Sequence, residues 1–211
     1  MTAATAIAGL VLAGGRSTRM GGEDKALLAI GGRRLVDRVL ARLAPQVCRV
    51  AISANGDPRR FGQLGIPILA DPLPGGLGPL AGVLAGLEWA ATLPGVTGLV
   101  TVATDTPFLP SDLVDRLAAG RSGEGSLTVA ASGDRIHPVD ALWPVAAAAD
   151  LRHYLQAGET YKATRFIEKF GYSAVSFDPV ALPGGAVDPF FNINTRDDLA
   201  TAARLLGETA P

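Results

Sequence analysis

Along the chain, short apolar runs alternate with stretches of helical periodicity, and polar or glycine-containing turns separate them. Ile7 to Leu12 is almost continuously apolar, the pattern of a strand buried on both faces of a parallel sheet. Leu35, Val36, Val39, Leu40 and Leu43 then recur at helical spacing ahead of Pro45. Cys48 to Ala54 and Ile66 to Ala70 predict two further strands, ending at Asn55 and Asp71. Pro79 to Ala91 reads as a helix with proline in its first turn, followed by a buried strand over Gly98 to Ala103 that ends at Thr104-Asp105.

The alternation continues in the second half. Leu113 to Ala118 and Pro144 to Leu155 predict helices; Leu127 to Ala131, Val139 to Leu142, Tyr172 to Phe177 and Phe191 to Asn194 predict strands; Arg196 to Leu206 closes the chain as a helix. Gly120 to Gly125 and Asp178 to Asp188 are the expected mobile loops. Repeated βα units with right-handed crossovers imply an α/β fold of three layers, a Rossmann-like, mainly parallel sheet with helices on both faces. In such a sheet, ligands bind beyond the carboxyl ends of the strands. The ends predicted here carry Leu12 to Gly15, Asn55, Asp71 and Asp105, so a glycine loop, an amide and two carboxylates should gather along one edge.

Composition narrows the choice of function. With 211 residues, against roughly 150 per domain, a single domain is expected, and 48% hydrophobic residues are enough for a core. Lysine plus arginine number 19 and aspartate plus glutamate 20, a net charge of −1 that cannot hold extended nucleic acid. One cysteine, Cys48, and two histidines, His137 and His153, exclude a disulfide framework and a Cys/His-rich metal cage, and fit a reducing cytoplasm. The N-terminus lacks the basic region and cleavage pattern of a signal peptide, and no uncharged run reaches membrane-spanning length.

The chemistry concentrates in LAGGRSTRMGGEDK, Leu12 to Lys25. Glycines allow backbone N–H groups to approach phosphate oxygens closely, while Arg16, Arg19 and Lys25 supply positive charge. Arg19 has the fork geometry to clamp a phosphate, and Lys25 acts as a point charge. The loop is neither a Walker A motif nor a G-x-G-x-x-G fingerprint, and a strand-to-helix turn with solvated charges is the plainer alternative. Gly76 to Ala81 does fit G-x-G-x-x-A, but Pro79 removes a needed N–H and no acidic residue follows at the required distance, so a dinucleotide site is rejected. Asn55, Asp71 and Asp105, each beside Gly or close to Pro, could equally serve as ordinary turn residues.

Leu12 to Lys25 resembles, nearly residue for residue, the signature of the nucleotidyltransferase family that includes molybdenum cofactor guanylyltransferases. Asp71-Pro72, Gly78-Pro79-Leu80-Ala81-Gly82, Thr104 to Phe108, and Asn192-Ile193-Asn194-Thr195 with Asp198-Leu199 are similar to that family's later motifs, in the right order. The resemblance implies the nucleotide-diphospho-sugar transferase type of fold and transfer of GMP from GTP to the terminal phosphate of molybdopterin, with Mg²⁺ required. It implies GTP contacts at Leu12, Ala13, Gly14, Gly15, Lys25, Asn55, Asp71 and Asp105, with Asp105 also on the metal. Gly15 is similar to the guanylyl branch. A cytidylyltransferase, a sugar-nucleotide pyrophosphorylase and a non-catalytic GTP carrier are the competing readings.

Neither a Ser-His-Asp triad nor a strong general base is needed, because the attacking phosphate is already ionised. Lys25, Asp105 and Arg19 are therefore the expected catalytic set, acting by positioning and charge. Residues 1–110 are expected to bind nucleotide and residues 111–211 the acceptor. Candidate acceptor contacts are Arg19, Arg135, Asn192 and Asn194; His137, Lys162 and Arg165 read equally well as a turn histidine and a solvated helix face. A monomer or weak homo-oligomer is expected, meeting cofactor-supplying and cofactor-receiving proteins only transiently.

Overall fold

Strand β1 (Ile7–Leu12) shows how the sheet is covered on both faces. Its side chains alternate with the period of two that extended backbone imposes: Ile7 and Val11 enter one apolar cluster, and Ala8, Leu10 and Leu12 enter another on the opposite face. The computed structural model describes residues 7–14, 24–62, 64–123, 125–158 and 160–209. Arg16, Arg19 and Gly15, assigned above to phosphate binding, lie outside the described residues.

The central sheet has seven strands. Beside β1 lie β4 (Val50–Ser53) and then β5 (Ile68–Leu69) on one side, and β6 (Gly98–Ala103), β8 (Arg135–Pro144), β7 (Leu127–Ser132) and β9 (Tyr172–Ser176) on the other. All are parallel except β8, which runs against both neighbours. Helices α1 (Leu35–Leu43) and α3 (Leu113–Ala119) pack on one face, and α2 (Pro79–Ala91), α4 (Ala148–Ala157) and α5 (Ala163–Phe170) on the other. The last helix, α6 (Arg196–Leu206), joins a smaller cluster with Ile30, Leu35 and Phe108. Two small hairpins flank the sheet, β2 (Ala29–Ile30) with β3 (Arg33–Arg34), and β10 (Val180–Leu182) with β11 (Gly185–Val187).

Three expectations need correction. Asp178 to Asp188 holds the β10–β11 hairpin, which packs on α6 so closely that a side chain at Gly184 would strike the Arg204 carbonyl. Phe191 to Asn194 is not a strand; the Phe191 N–H closes a turn on the Asp188 carbonyl at 2.9 Å, and the Ile193 N–H donates to the Asp105 carbonyl at 2.9 Å with no ladder following. Pro144 is extended and pairs with Gly98 as the last residue of β8, the Val145 N–H donates to Thr97 O at 3.0 Å, and α4 begins only at Ala148 after the 3-10 turn Val145–Ala147.

Register sets up the site. Leu12 pairs with Ser53 on one side and with Ala103 on the other, so β1, β4 and β6 end level. The residues that follow, Ala13-Gly14, Ala54-Asn55 and Thr104-Asp105, therefore emerge together. Helix α2 lies flush over these strands because Gly82 and Gly86 carry no side chain. A Cβ at Gly82 would collide with Ser53 Oγ, and one at Gly86 with Leu10.

Candidate active site

A cleft of about 460 Å³ opens at this edge. Leu12, Ala13, Gly14, Lys25, Asn55, Asp71 and Asp105 all line it, as do Asn192, Val139 and the glycines that lead into α2, Gly76 and Gly78. Gly78 has φ of 73°, a left-handed turn that favours glycine, and Pro79 takes the first helical position. The amino end of α2, with its positive dipole, thus faces the cleft.

Lys25 is the centre of the polar network. Its ammonium is ion-paired with Asp105 Oδ2 and donates to Asn194 Oδ1 at 2.8 Å and to Asn192 Oδ1 at 3.4 Å. Asn192 and Asn194 share a side of the chain as their alternation predicts, although the segment is not a strand. Asp198 secures this segment by accepting from the N–H groups of Asn194 at 2.9 Å and Thr195 at 2.8 Å. Partial burial of Asp198 opposes its ionisation, yet those hydrogen bonds and the charge of Lys25 hold its pKa below the ordinary carboxylate value.

The other side of the cleft is a reciprocal pair. Asn55 donates to Asp71 Oδ2 at 2.7 Å, and its amide oxygen accepts from the Asp71 N–H at 2.9 Å. The amide of Asn55 thereby orients the carboxylate of Asp71 across the ends of β4 and β5. At the first turn, the Ala13 N–H is bonded to Ser53 O at 2.9 Å, and Leu12 O accepts from both Thr104 N and Thr104 Oγ1 at 3.2 Å. Those backbone groups hold the strands together and are not offered to a ligand.

Sequence reasoning missed Asp140. Strand β8 has a bulge where the register with β7 shifts between Val129 and Ala130, and Pro138 to Asp140 fall in the irregular stretch. This re-aims Val139 into the cleft lining, while Asp140 Oδ1 accepts from the Ala103 N–H at 3.2 Å at the end of β6. Asp140 is 3% exposed. Burial, reinforced by the charge of Asp105 and opposed by the Ala103 hydrogen bond, pushes its pKa up to about 8. Its position in an apolar strand pattern carried no signal of this role.

The acceptor candidates separate. Asn192 and Asn194 reach the cleft network, whereas Arg135 stands exposed at the start of β8, outside the cleft lining. His137 and Ser132 form a closed group: Ser132 Oγ donates to Asp188 Oδ2 at 2.8 Å, so the 2.8 Å contact with His137 Nε2 requires the ring to donate. Burial, aided by the nearby Arg135 charge against the pull of Asp188, holds the His137 pKa below the ordinary imidazole value. Lys162 and Arg165 are exposed on or beside α5, and Arg165 pairs with Glu168 at 3.3 Å, the solvated-face reading.

The MobA-like NTP transferase domain matches residues 9–173, most of the chain. The protein belongs to this family. A molybdenum cofactor guanylyltransferase of Mesorhizobium japonicum is 53% identical over 201 residues, covering 95% of this chain and 96% of the relative. A guanylyltransferase of the same name from Cereibacter sphaeroides is 50% identical, covering 96% and 98%. In fold, the chain is similar to the crystal structure of molybdopterin-guanine dinucleotide biosynthesis protein A from Archaeoglobus fulgidus, with a TM-score of 0.70, 22% identity, and 95% and 98% of the two chains covered. The family's matching region contains Lys25, Asn55, Asp71, Asp105 and Asp140, and α6 with the Asn192 to Thr195 segment lies beyond it.

Proposed function

We propose that this protein transfers GMP from GTP to the terminal phosphate of molybdopterin or its molybdenum-loaded form, releasing pyrophosphate. The observation that carries the reading is the Lys25–Asp105 pair at the level ends of β1 and β6, inside a cleft also lined by the amino end of α2. The names of relatives about half identical to this chain supply the two substrates. Residues 1–110 supply most of the nucleotide contacts and residues 111–211 the acceptor pocket.

The attacking phosphate is anionic already, so the chain's own work is to bring two polyanions together and to neutralise charge as pyrophosphate leaves. Asn192 and Asn194 hold the Lys25 ammonium at the cleft, and phosphate oxygens of the nucleotide take over as its acceptors from one of them. Asp71 supplies a carboxylate acceptor to the nucleoside, oriented by Asn55. Gly14 and Gly15 allow the backbone to come near the phosphates, and Arg19 clamps one of them.

Asp105 fits a hard cation. One carboxylate oxygen pairs with Lys25, while Oδ1 is buried with no hydrogen-bond partner. A single carboxylate with a free oxygen suits Mg²⁺, an ion commonly held by one or two carboxylates with phosphate oxygens and waters. Mg²⁺ bound there supplies positive charge to the phosphoryl oxygens. The reaction is assigned to a reducing cytoplasm, the compartment that the sequence's one cysteine fits. Among the described residues no helix is long and apolar enough to cross a membrane.

The test is pyrophosphate release by the purified protein with molybdopterin and each of GTP, CTP, ATP and UTP. Turnover with GTP at least tenfold above the others is expected, and it should vanish with EDTA. A preference for CTP would move the protein to cytidylyl transfer, and GTP binding without release of pyrophosphate would mark a carrier.

A further inference from the structure

Lys25 follows Asp24, and Asp24 is held from a distant part of the chain. Its Oδ1 accepts from the Ala26 N–H at 3.1 Å, and its carbonyl accepts from Leu27 N at 2.9 Å, which closes the short 3-10 turn that carries Lys25. The other carboxylate oxygen, Oδ2, lies 3.0 Å from Arg60 Nε. That Nε makes no aligned hydrogen bond, so the attraction is between charges. The two side chains are 29% and 22% exposed, which screens the pair less than an open surface would.

Arg60 is itself firmly placed. It belongs to the 3-10 turn Pro58–Phe61, whose first residue is preceded by Asp57 accepting from the Arg59 N–H at 2.9 Å. The next residue, Phe61, is buried in the core, and the Arg60 guanidinium lies 4.8 Å from the centroid of its ring. This turn is the continuation of β4 beyond Asn55. The link Arg60 to Asp24 to Lys25 therefore ties the segment carrying the Asn55–Asp71 pair to the segment carrying the ammonium.

We infer that Arg60 is a positioning residue for Lys25: it anchors and neutralises Asp24, so that the adjacent ammonium is held at the triphosphate with no competing negative charge beside it. The inference rests on the reading that Lys25 contacts the triphosphate. A polyanion approaching Lys25 would otherwise meet the carboxylate of Asp24 one residue away. A merely structural ion pair at this degree of exposure would contribute little to folding and nothing specific to nucleotide binding.

The full-length protein is tested by calorimetric titration with GTP and Mg²⁺ without acceptor, with thermal midpoints recorded for each variant. Arg60→Met, which keeps an apolar stem over Phe61, should weaken GTP about tenfold, and Arg60→Lys should recover most of that loss. In a Lys25→Ala background, the same Arg60→Met change should cost less than about twofold, because its effect passes through the ammonium. Asp24→Asn gives a second route that leaves Arg60 in place; in that background too, Arg60→Met should cost less than about twofold. Wild-type GTP affinity in Arg60→Met, or a tenfold loss that persists in full when Lys25 is absent, would overturn the inference and leave the role of Lys25 standing. Undiminished GTP affinity in Lys25→Ala would instead overturn the reading beneath it. If Arg60→Met does not fold, Arg60→Gln decides: a loss of about tenfold that shrinks below about twofold in the Asp24→Asn background supports the inference, and wild-type GTP affinity in Arg60→Gln overturns it.

Discussion

The two halves of the sheet's carboxyl edge use polar residues in opposite ways. Beyond β1, β4 and β6, the polar groups line an open cleft and retain capacity for a ligand: Asp105 Oδ1 has no partner, and Lys25 is held by groups that a triphosphate can replace. At the last residue of β7 and the amino end of β8, Ser132, His137 and Asp188 are hydrogen-bonded in a chain, and His137 stacks on Phe190 with ring centroids 4.5 Å apart. The first arrangement reserves its hydrogen bonds for chemistry, and the second spends them on holding the β11 end of the chain to the sheet. A Ser, a His and an Asp in mutual contact are not by themselves a nucleophilic site; here the serine proton is committed to the carboxylate and the ring donates to the serine.

Substitutions can separate the two halves. The largest effect is expected from Lys25→Ala and Asp105→Ala, each lowering kcat/KM by about ten- to a hundred-fold, from charge-assisted contacts of roughly 1.5–3 kcal/mol. Steady-state kinetics alongside a thermal midpoint close to wild type would show the loss to be chemical. Wild-type kinetics in either variant would erase the distinction between the halves.

Next comes Asp140, which adjoins the cleft without lining it. Its pKa is raised from 3.8 to about 8 on folding, so folding takes up a proton between those values. The contribution to stability is therefore complete below pH 4, declines as pH rises, and levels off above pH 8. Asp140→Asn keeps an acceptor for the Ala103 N–H and removes this dependence. Urea denaturation should find the variant more stable than wild type by about 1–3 kcal/mol at pH 8, with the gap narrowing toward pH 5. Parallel stability curves would mean that Asp140 is ionised in the folded protein.

Smaller effects belong to the β7–β8 side of the edge. Ser132→Ala should cost about 1 kcal/mol of stability, the usual net value of a buried hydrogen bond, with kcat/KM for GTP within about twofold of wild type. Arg135→Ala should alter neither stability nor turnover by more than about twofold, since the side chain is exposed and outside the cleft. A tenfold rise in acceptor KM for Arg135→Ala would restore it to the acceptor site.

The sheet and much of the cleft were legible because their causes are local. A short continuous apolar run closed by glycines, such as Ile7 to Leu12, has the length and flanks of a buried strand, and a residue at a strand's end is carried to the same edge as its neighbours once the strands end level. That is why Asn55, Asp71 and Asp105 read as one group with the turn after Leu12, whereas Lys25 joins them through the charged glycine loop and the family resemblance. What could not be read depends on pairing and packing between distant segments. Asp140 looks like one polar position in an apolar strand, and only the bulge against β7 turns it toward the end of β6. Arg60 sits in an exposed-looking turn, and its partner Asp24 is thirty-six positions earlier. The β10–β11 hairpin is three residues to a side and rich in Gly, Pro and Ala, so it reads as a loop until α6 supplies the surface it packs on. Phe191 to Asn194 shows the converse: strand-like alternation finds no neighbouring strand and becomes a strap across Asp105.

Crystals of the protein soaked with GTP and Mg²⁺ address the cleft most directly. The expected result is a triphosphate within hydrogen-bonding distance of Lys25 Nζ and a magnesium ion about 2.1 Å from Asp105 Oδ1, with the guanosine on the side of Asn55 and Asp71. Nucleotide bound elsewhere on the protein, with the Lys25–Asp105 pair undisturbed and no ion beside it, would contradict it.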